Sequence, residues 1–206
     1  MTSRKNRGFS LLEMMIVVLI GFIMAGITFM ALMPMFKENH VDQAYDTTLS
    51  VIRNYRNLSI TQSKRYILTF ANPTPTTSTI TVQYWGVAVP VSPAPVTVAT
   101  YNLPTDMQFA VQAGFPAAAP DGFGTGIAAI DFDQPPMGIG GQNYIMFMPD
   151  GSSQDTLGNY NSGIIYITRP ASDKYSSRAI TVMGTTGRVR GWRIYNQAGV
   201  NKWVQQ

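Results

Sequence analysis

Residues 14–33 read MMIVVLIGFIMAGITFMALM, twenty positions without a charge. A helix of about 20 apolar residues is long enough to cross the hydrocarbon core of a bilayer, so this run constrains the topology before any other feature. Arg4, Lys5 and Arg7 precede it. Positive charge beside a span holds that end in the cytoplasm and sends the remainder across. A secretory signal peptide would show a shorter apolar core followed by a small-residue cleavage site. This run is longer and carries a carboxylate, Glu13, at its start.

An ionised carboxylate at the centre of a span costs about 2.5–3.5 kcal/mol on insertion scales, so Glu13 needs a partner. If the chain is cut between Gly8 and Phe9, a new α-amino group appears four residues before Glu13. The amine of an adjacent subunit is its natural counter-ion, because an unpaired charge would be stranded at low dielectric.

Gly8-Phe9-Ser10-Leu11-Leu12-Glu13, behind a basic leader and ahead of an apolar run, resembles the processing site of type IV pilins and type II secretion pseudopilins. The resemblance implies that a prepilin peptidase cuts after Gly8 and methylates the amine of Phe9. It also implies that Glu13 sets subunit register by meeting the Phe9 amine of a neighbour in a helical filament.

Removing the leader takes the formal net charge from +4 to +1, so the processed chain is nearly neutral. The charges are unevenly placed. Residues 66–156 contain no Lys or Arg but hold Asp106, Asp121, Asp131, Asp133, Asp150 and Asp155. Residues 157–206 hold Arg169, Lys174, Arg178, Arg188, Arg190, Arg193 and Lys202 against Asp173 alone. The carboxy-terminal part is a basic element on an otherwise acidic domain. The chain has no Cys, which excludes a disulfide framework and any thiolate site.

Pro34 predicts a kink or break, because its ring removes a donor and clashes with the preceding turn. Beyond it, Val41, Tyr45, Thr48, Ile52, Tyr55 and Ser59 recur at steps of four and three, with Ala44, Val51 and Leu58 beside them. That spacing is a helix with one buried stripe. Lys37, Glu38, Asp42, Asp46, Arg53 and Arg56 take the remaining surface, and the helix is expected to end near Gln62. Met14, Met15, Met24, Met30, Met33 and Met35 read as adaptable packing groups rather than metal ligands, since no Cys or cluster of His accompanies them.

The period then changes to two. Residues 65–70 and 78–85 read as paired strands around a turn at Asn72-Pro73-Thr74-Pro75. Pro90, Pro93 and Pro95 make residues 87–98 an edge or an extended loop. Residues 105–112 are a further strand candidate. The Gly-, Pro- and Ala-rich stretch 114–141, around a short strand at 127–132, is expected to be variable and mobile. Strands are expected at 143–148, 163–168, 178–183 and 188–195, with turns at Pro149-Asp150-Gly151-Ser152 and Gly184-Thr185-Thr186-Gly187. The fold class is α+β: a long amino-terminal helix, apolar in its first half and amphipathic in its second, packed on one antiparallel sheet. The expected division is a leader at 1–8, a membrane and filament-core helix at 9–36, and a globular domain at 37–206.

Phe147-Met148-Pro149-Asp150-Gly151-Ser152, the apolar strand after it, Ala179-Ile180-Thr181-Val182 and Gly187-Arg188-Val189-Arg190 are similar to the carboxy-terminal half of GspH/FimT-like minor pilins and pseudopilins. Residues 72–141 match no part of that pattern, and Pro34 falls later than the kink proline common among pilins. Period two places Arg188, Arg190 and Trp192 on one side of a strand, with Val189 and Tyr195 on the other. Two guanidinium groups beside an indole suit phosphate pairing and base stacking, the chemistry of single-strand binding. Duplex binding would draw on Arg178, Arg188, Arg190, Arg193 and Lys202. The resemblance to FimT-like proteins, in which such a motif is implicated in DNA uptake, makes DNA a candidate partner and Arg188, Arg190, Trp192 and Arg193 the candidate contacts. The structural alternatives are arginines that protect an edge strand, pair with the acidic half, or face another subunit.

Asp131 with Asp133, and Asp150 with Asp155, lack the ligand count of a cation loop and read as solvated turn carboxylates. His40, the only His, reads as a surface residue. No nucleophile elbow, phosphate loop or metal motif occurs, so catalytic residues, cofactor and metal are all expected to be absent. The expected protein is a minor pilin or pseudopilin. It sits in membrane lipid as a single-pass inner-membrane precursor with an exported domain. It is then assembled, near the tip of a periplasmic or cell-surface filament, with other subunits and an inner-membrane assembly platform. A DNA-binding minor pilin and a membrane-anchored periplasmic protein that never polymerises are the two alternatives.

Overall fold

The computed structural model describes residues 10–85, 95–124, 128–133, 141–170 and 173–206, with the backbone alone over 34–38. The chain divides into two compact units, Met1–Asn39 and His40–Gln206. One α-helix, α1, spans Leu11–Thr61 and contributes to both. Its backbone stays helical across Pro34, so the expected break is absent. Proline has no N–H, and the Met30 carbonyl loses its intrahelical partner there without ending the element.

The first unit is the apolar run. Leu11–Met33 has a mean hydropathy of 2.6, and none of its residues is buried. At 1.5 Å per residue it is about 35 Å long, which suffices to cross a membrane.

Among its described residues the second unit carries ten strands in chain order. They are β1 (Arg65–Thr74), β2 (Thr77–Trp85), β3 (Val96–Asn102), β4 (Ile130–Phe132), β5 (Tyr144–Phe147), β6 (Ser153–Gln154), β7 (Gly163–Ile167), β8 (Arg178–Met183), β9 (Arg188–Gln197) and β10 (Val200–Gln205). They form two antiparallel sheets where one was expected, with strand orders β3-β2-β1-β5-β6 and β10-β9-β8-β7-β4. The class is α+β. The sheets separate because β5 pairs with β1, Tyr66 opposite Phe147, and on its other side with the short β6, instead of with β7.

Three local expectations are corrected. The β1–β2 hairpin is tighter than predicted: β1 continues through Pro73, and Thr74 pairs with Thr77 across Pro75 and Thr76. Residues 105–112 are not a strand but make one isolated bridge, Gln108 to Thr168. Their backbone is held by side chains: Asn72 Nδ2 donates to the Phe109 carbonyl at 2.8 Å, and Ser78 Oγ donates to the Met107 carbonyl at 3.1 Å. Strand β4 starts at Ile130, and the Ile127 end of its prediction lies outside the described residues. Residues 96–98 of the Pro-rich segment belong to edge strand β3, and 87–94 of that segment, with 125–127 and 134–140 of the Gly-rich stretch, also lie outside the described residues.

The predicted helical stripe forms the core. Val41, Ala44, Tyr45, Thr48, Val51, Ile52, Tyr55 and Ser59 are buried. Its apolar members join Leu68, Phe70 and Ile145 of the first sheet and Ile165, Ile180 and Val182 of the second in one cluster. A smaller cluster, built on Ile164, Tyr166 and Ala179, is covered by Phe115, Phe123, Trp192 and Trp203. Gly191 is required where it is, because a Cβ there would meet the Tyr45 hydroxyl of the helix.

Candidate functional site

Glu13 stands in the first turn of α1, where the positive end of the helix dipole favours an acid. The Ser10 carbonyl accepts from the Glu13 and Met14 amides at 3.0 and 3.2 Å, closing that turn. Around Glu13 the helix is exposed on all sides, with Leu11, Leu12, Met15, Ile16 and Val17 each about half exposed or more. Among the described side chains of residues 10–33, Glu13 is the one that carries a charge, so none of them can neutralise it. Gly8 and Phe9 lie outside the described residues.

The charges of the second unit are interleaved by its topology. Arg178 is fully buried and donates through Nη2 to Asp42 Oδ1 at 2.7 Å, joining β8 to the helix. Asp106 lies 3.2 Å from Arg169 Nε and 2.9 Å from His40 Nδ1, so His40 is tied to the domain rather than a bare surface group. Arg190 Nη1 donates to Asp121 Oδ1 at 2.6 Å. Acidic and basic stretches that are far apart in sequence thus meet in space, one of the three structural alternatives for the arginines.

The four residues predicted to act together are dispersed. Arg190 and Trp192 belong to one network: Asp121 also accepts from Thr181 Oγ1 at 2.6 Å, and the Trp192 indole N–H donates to that hydroxyl at 3.0 Å. Arg193 stacks its guanidinium 5.6 Å from the centre of the Tyr195 ring. Arg188 is exposed and shares a depression with Arg53 and Arg56 of the helix. Nor is β9 an edge strand, since β10 covers it, so edge protection does not explain these arginines. The helical arginines read in sequence only as solvent surface. Their i, i+3 spacing was the one signal that they share a face.

The carboxylates are mostly not solvated turn groups. Asp131, Asp133 and Asp155 are buried, and Asp131 accepts from the Gly141 amide at 2.8 Å. Burial works against the Asp155 charge, yet bonds from Asn159, Leu157 and Gly158 outweigh it and hold the carboxyl below its ordinary value. Asp150 is also lowered, chiefly by the Ser152 hydroxyl and then by the Ser152 amide. Burial pushes the phenols of Tyr55 and Tyr166 up to about 12, helped at Tyr55 by the hydrogen bond to Tyr101 and at Tyr166 by the charge of Asp131. Among the described residues no three His, Cys, Asp or Glu side chains converge as metal ligands.

Residues 3–29 match the prokaryotic N-terminal methylation motif. No curated protein and no solved structure matches the chain. The motif covers Arg4, Lys5 and Arg7, Glu13 and most of the exposed apolar helix. Residues 3–29 thus carry the amino-terminal signature that marks type IV pilin-like proteins.

Proposed function

We propose that this chain is a minor subunit of a type IV pilus or type II secretion pseudopilus. The observation that carries the reading is the methylation motif at residues 3–29 overlapping an apolar helical segment, Leu11–Met33, of which no residue is buried and which holds one carboxylate, Glu13. Prepilin peptidase removes residues 1–8 and methylates the Phe9 amine. The apolar helix then leaves membrane lipid for a bundle of like helices at the assembly platform, while the exported domain faces outward. Inside the bundle, Glu13 meets the Phe9 amine of a neighbour, and each charge removes the desolvation penalty of the other.

A permanently anchored protein that never polymerises would use the same helix but would not need Glu13. Replacing Glu13 with Ala separates the two. The subunit reading expects normal processing and loss of the protein from sheared filaments. Normal processing with undiminished incorporation would refute the role given to Glu13, and absence of the wild type from sheared filaments would refute the subunit reading itself. DNA binding through Arg188, Arg190, Trp192 and Arg193 lacks comparable support, because Arg190 and Trp192 are engaged with Asp121 and Thr181.

A further inference from the structure

The depression that holds Arg188 is about 520 Å³ and lies between α1 and the turn before β9. Arg53, Arg56 and Arg188 line it together with Asn57, Thr186 and Gly187, and no acidic side chain does. Elsewhere in the domain Arg169, Arg178 and Arg190 each meet an aspartate. Arg56 is held in place: its Nε donates to the Gly151 carbonyl at 3.1 Å and its Nη2 to the Thr186 carbonyl at 2.8 Å. Both acceptors are neutral, and among the described residues Arg56 forms no ion pair, so its fork is fixed without a carboxylate partner. Arg53 and Arg188 are exposed on either side. Gly187, at φ +61°, is required here because a Cβ would run into Arg56 and the Gly151 carbonyl.

We infer that this groove receives carboxylates from an acidic segment of a neighbouring subunit in the filament, a contact that rests on the subunit function proposed above. A fixed guanidinium flanked by two exposed ones matches the planar, two-oxygen geometry of Asp and Glu side chains. Nucleic acid is the less suitable occupant. No aromatic side chain lines the groove for base stacking. Three cations also fall short of the roughly 6–10 phosphate contacts through which many proteins grip a duplex. A short electrostatic contact suffices between filament subunits, because the bundled helices already hold the partners at high effective concentration. The contact orients the exported domains while the helices supply the affinity.

The test replaces both exposed arginines, Arg53→Gln with Arg188→Gln, in the full chain and leaves Arg56 in place because it holds two turns. The expected result is unchanged processing and thermal stability, with incorporation into sheared filaments lowered by about tenfold, equivalent to about 1.4 kcal/mol. In detergent, a labelled polyglutamate peptide should bind the wild type at low salt and lose that binding in the double variant. Wild-type incorporation of the double variant overturns the inference. So does a short DNA duplex that binds through Arg53 and Arg188 when polyglutamate does not, an outcome that assigns the groove to nucleic acid. A parallel Glu13→Ala strain separates the two levels. If Glu13→Ala is excluded from filaments and the double variant is not, the groove assignment alone falls. If the wild type itself is absent from sheared filaments, the subunit function falls and the groove contact with it.

Discussion

The two units of this chain satisfy their apolar residues in opposite ways. In the domain, Leu68, Phe70, Ile80, Phe132 and Ile165 are wholly buried against one another and against the stripe of α1. Along Leu11–Met33 nothing of the chain covers the side chains, and Phe22, Met24, Ile27 and Met30 are each more than 60% exposed. The same kind of residue therefore serves two purposes. The domain uses apolar surface to fold, and the helix leaves it exposed, which in the proposed function serves lipid first and other helices later. A helix that is hydrophobic all round belongs inside something larger than itself.

The comparison is broken most severely in the domain. Phe70 stacks on Phe132 at 6.1 Å and meets Phe109 edge-on at 5.8 Å. Phe70→Ala should cost the domain about 3–5 kcal/mol in a thermal or denaturant melt of the detergent-solubilised chain. Removal of the leader, read by mass, should be unaffected. A smaller loss is expected at the buried ion pair, and it is asymmetric. Asp42→Ala strands the fully buried Arg178 guanidinium and should cost about 3 kcal/mol. Arg178→Met leaves an aspartate that is 52% exposed and can recover water, so its melt should show the smaller change.

Smaller again are the pH effects, which fall on the domain alone. The Tyr55 and Tyr166 phenols ionise at about 12 when folded and at the ordinary 10.0 when unfolded. The unfolded chain therefore loses its protons first, and their contribution to stability is full below pH 10 and lost as pH rises toward about 12. The Asp150 and Asp155 carboxyls are lowered on folding, so they stabilise the domain above the ordinary value of 3.8 and cease to do so as pH falls below it. Asp155→Asn should flatten the acid limb of a melting series, and Tyr166→Phe the alkaline limb. The smallest expected effect is Glu13→Gln on domain stability, within about 0.5 kcal/mol. That near-zero shift beside a loss of filament incorporation would sharpen the contrast between the units.

How much of this was legible depended on how local each feature is. The stripe of α1 was readable because a 3.6-residue period declares its own buried face, and Val41, Ala44, Ile52 and Tyr55 lie where the spacing put them. Strand β10 was missed, although Ala198 and Gly199 both adopt positive φ in the turn before alternating Val200, Lys202 and Val204. An Ala-Gly pair is a weaker hairpin signal than Asn-Gly. The split into two sheets rests on β1 pairing with β5, a long-range choice that no window of sequence contains. The ion pairs are similar: Asp42 and Arg178 are 136 positions apart. At the candidate site, the placement of Glu13 in an apolar helix was readable from charge alone. The arginine constellation was not, because a period-two pattern gives the face of Arg188 and Arg190 but not the arrival of Asp121 or of the helical arginines.

The most direct measurement is the mass of the mature protein recovered from membranes. If the exposed helix exists to meet another subunit through Glu13, the chain should begin at Phe9 with one methyl group on its amine. A product that keeps residues 1–8, or begins at any other position, would leave Glu13 without the amine it is held to pair with and would contradict the central claim.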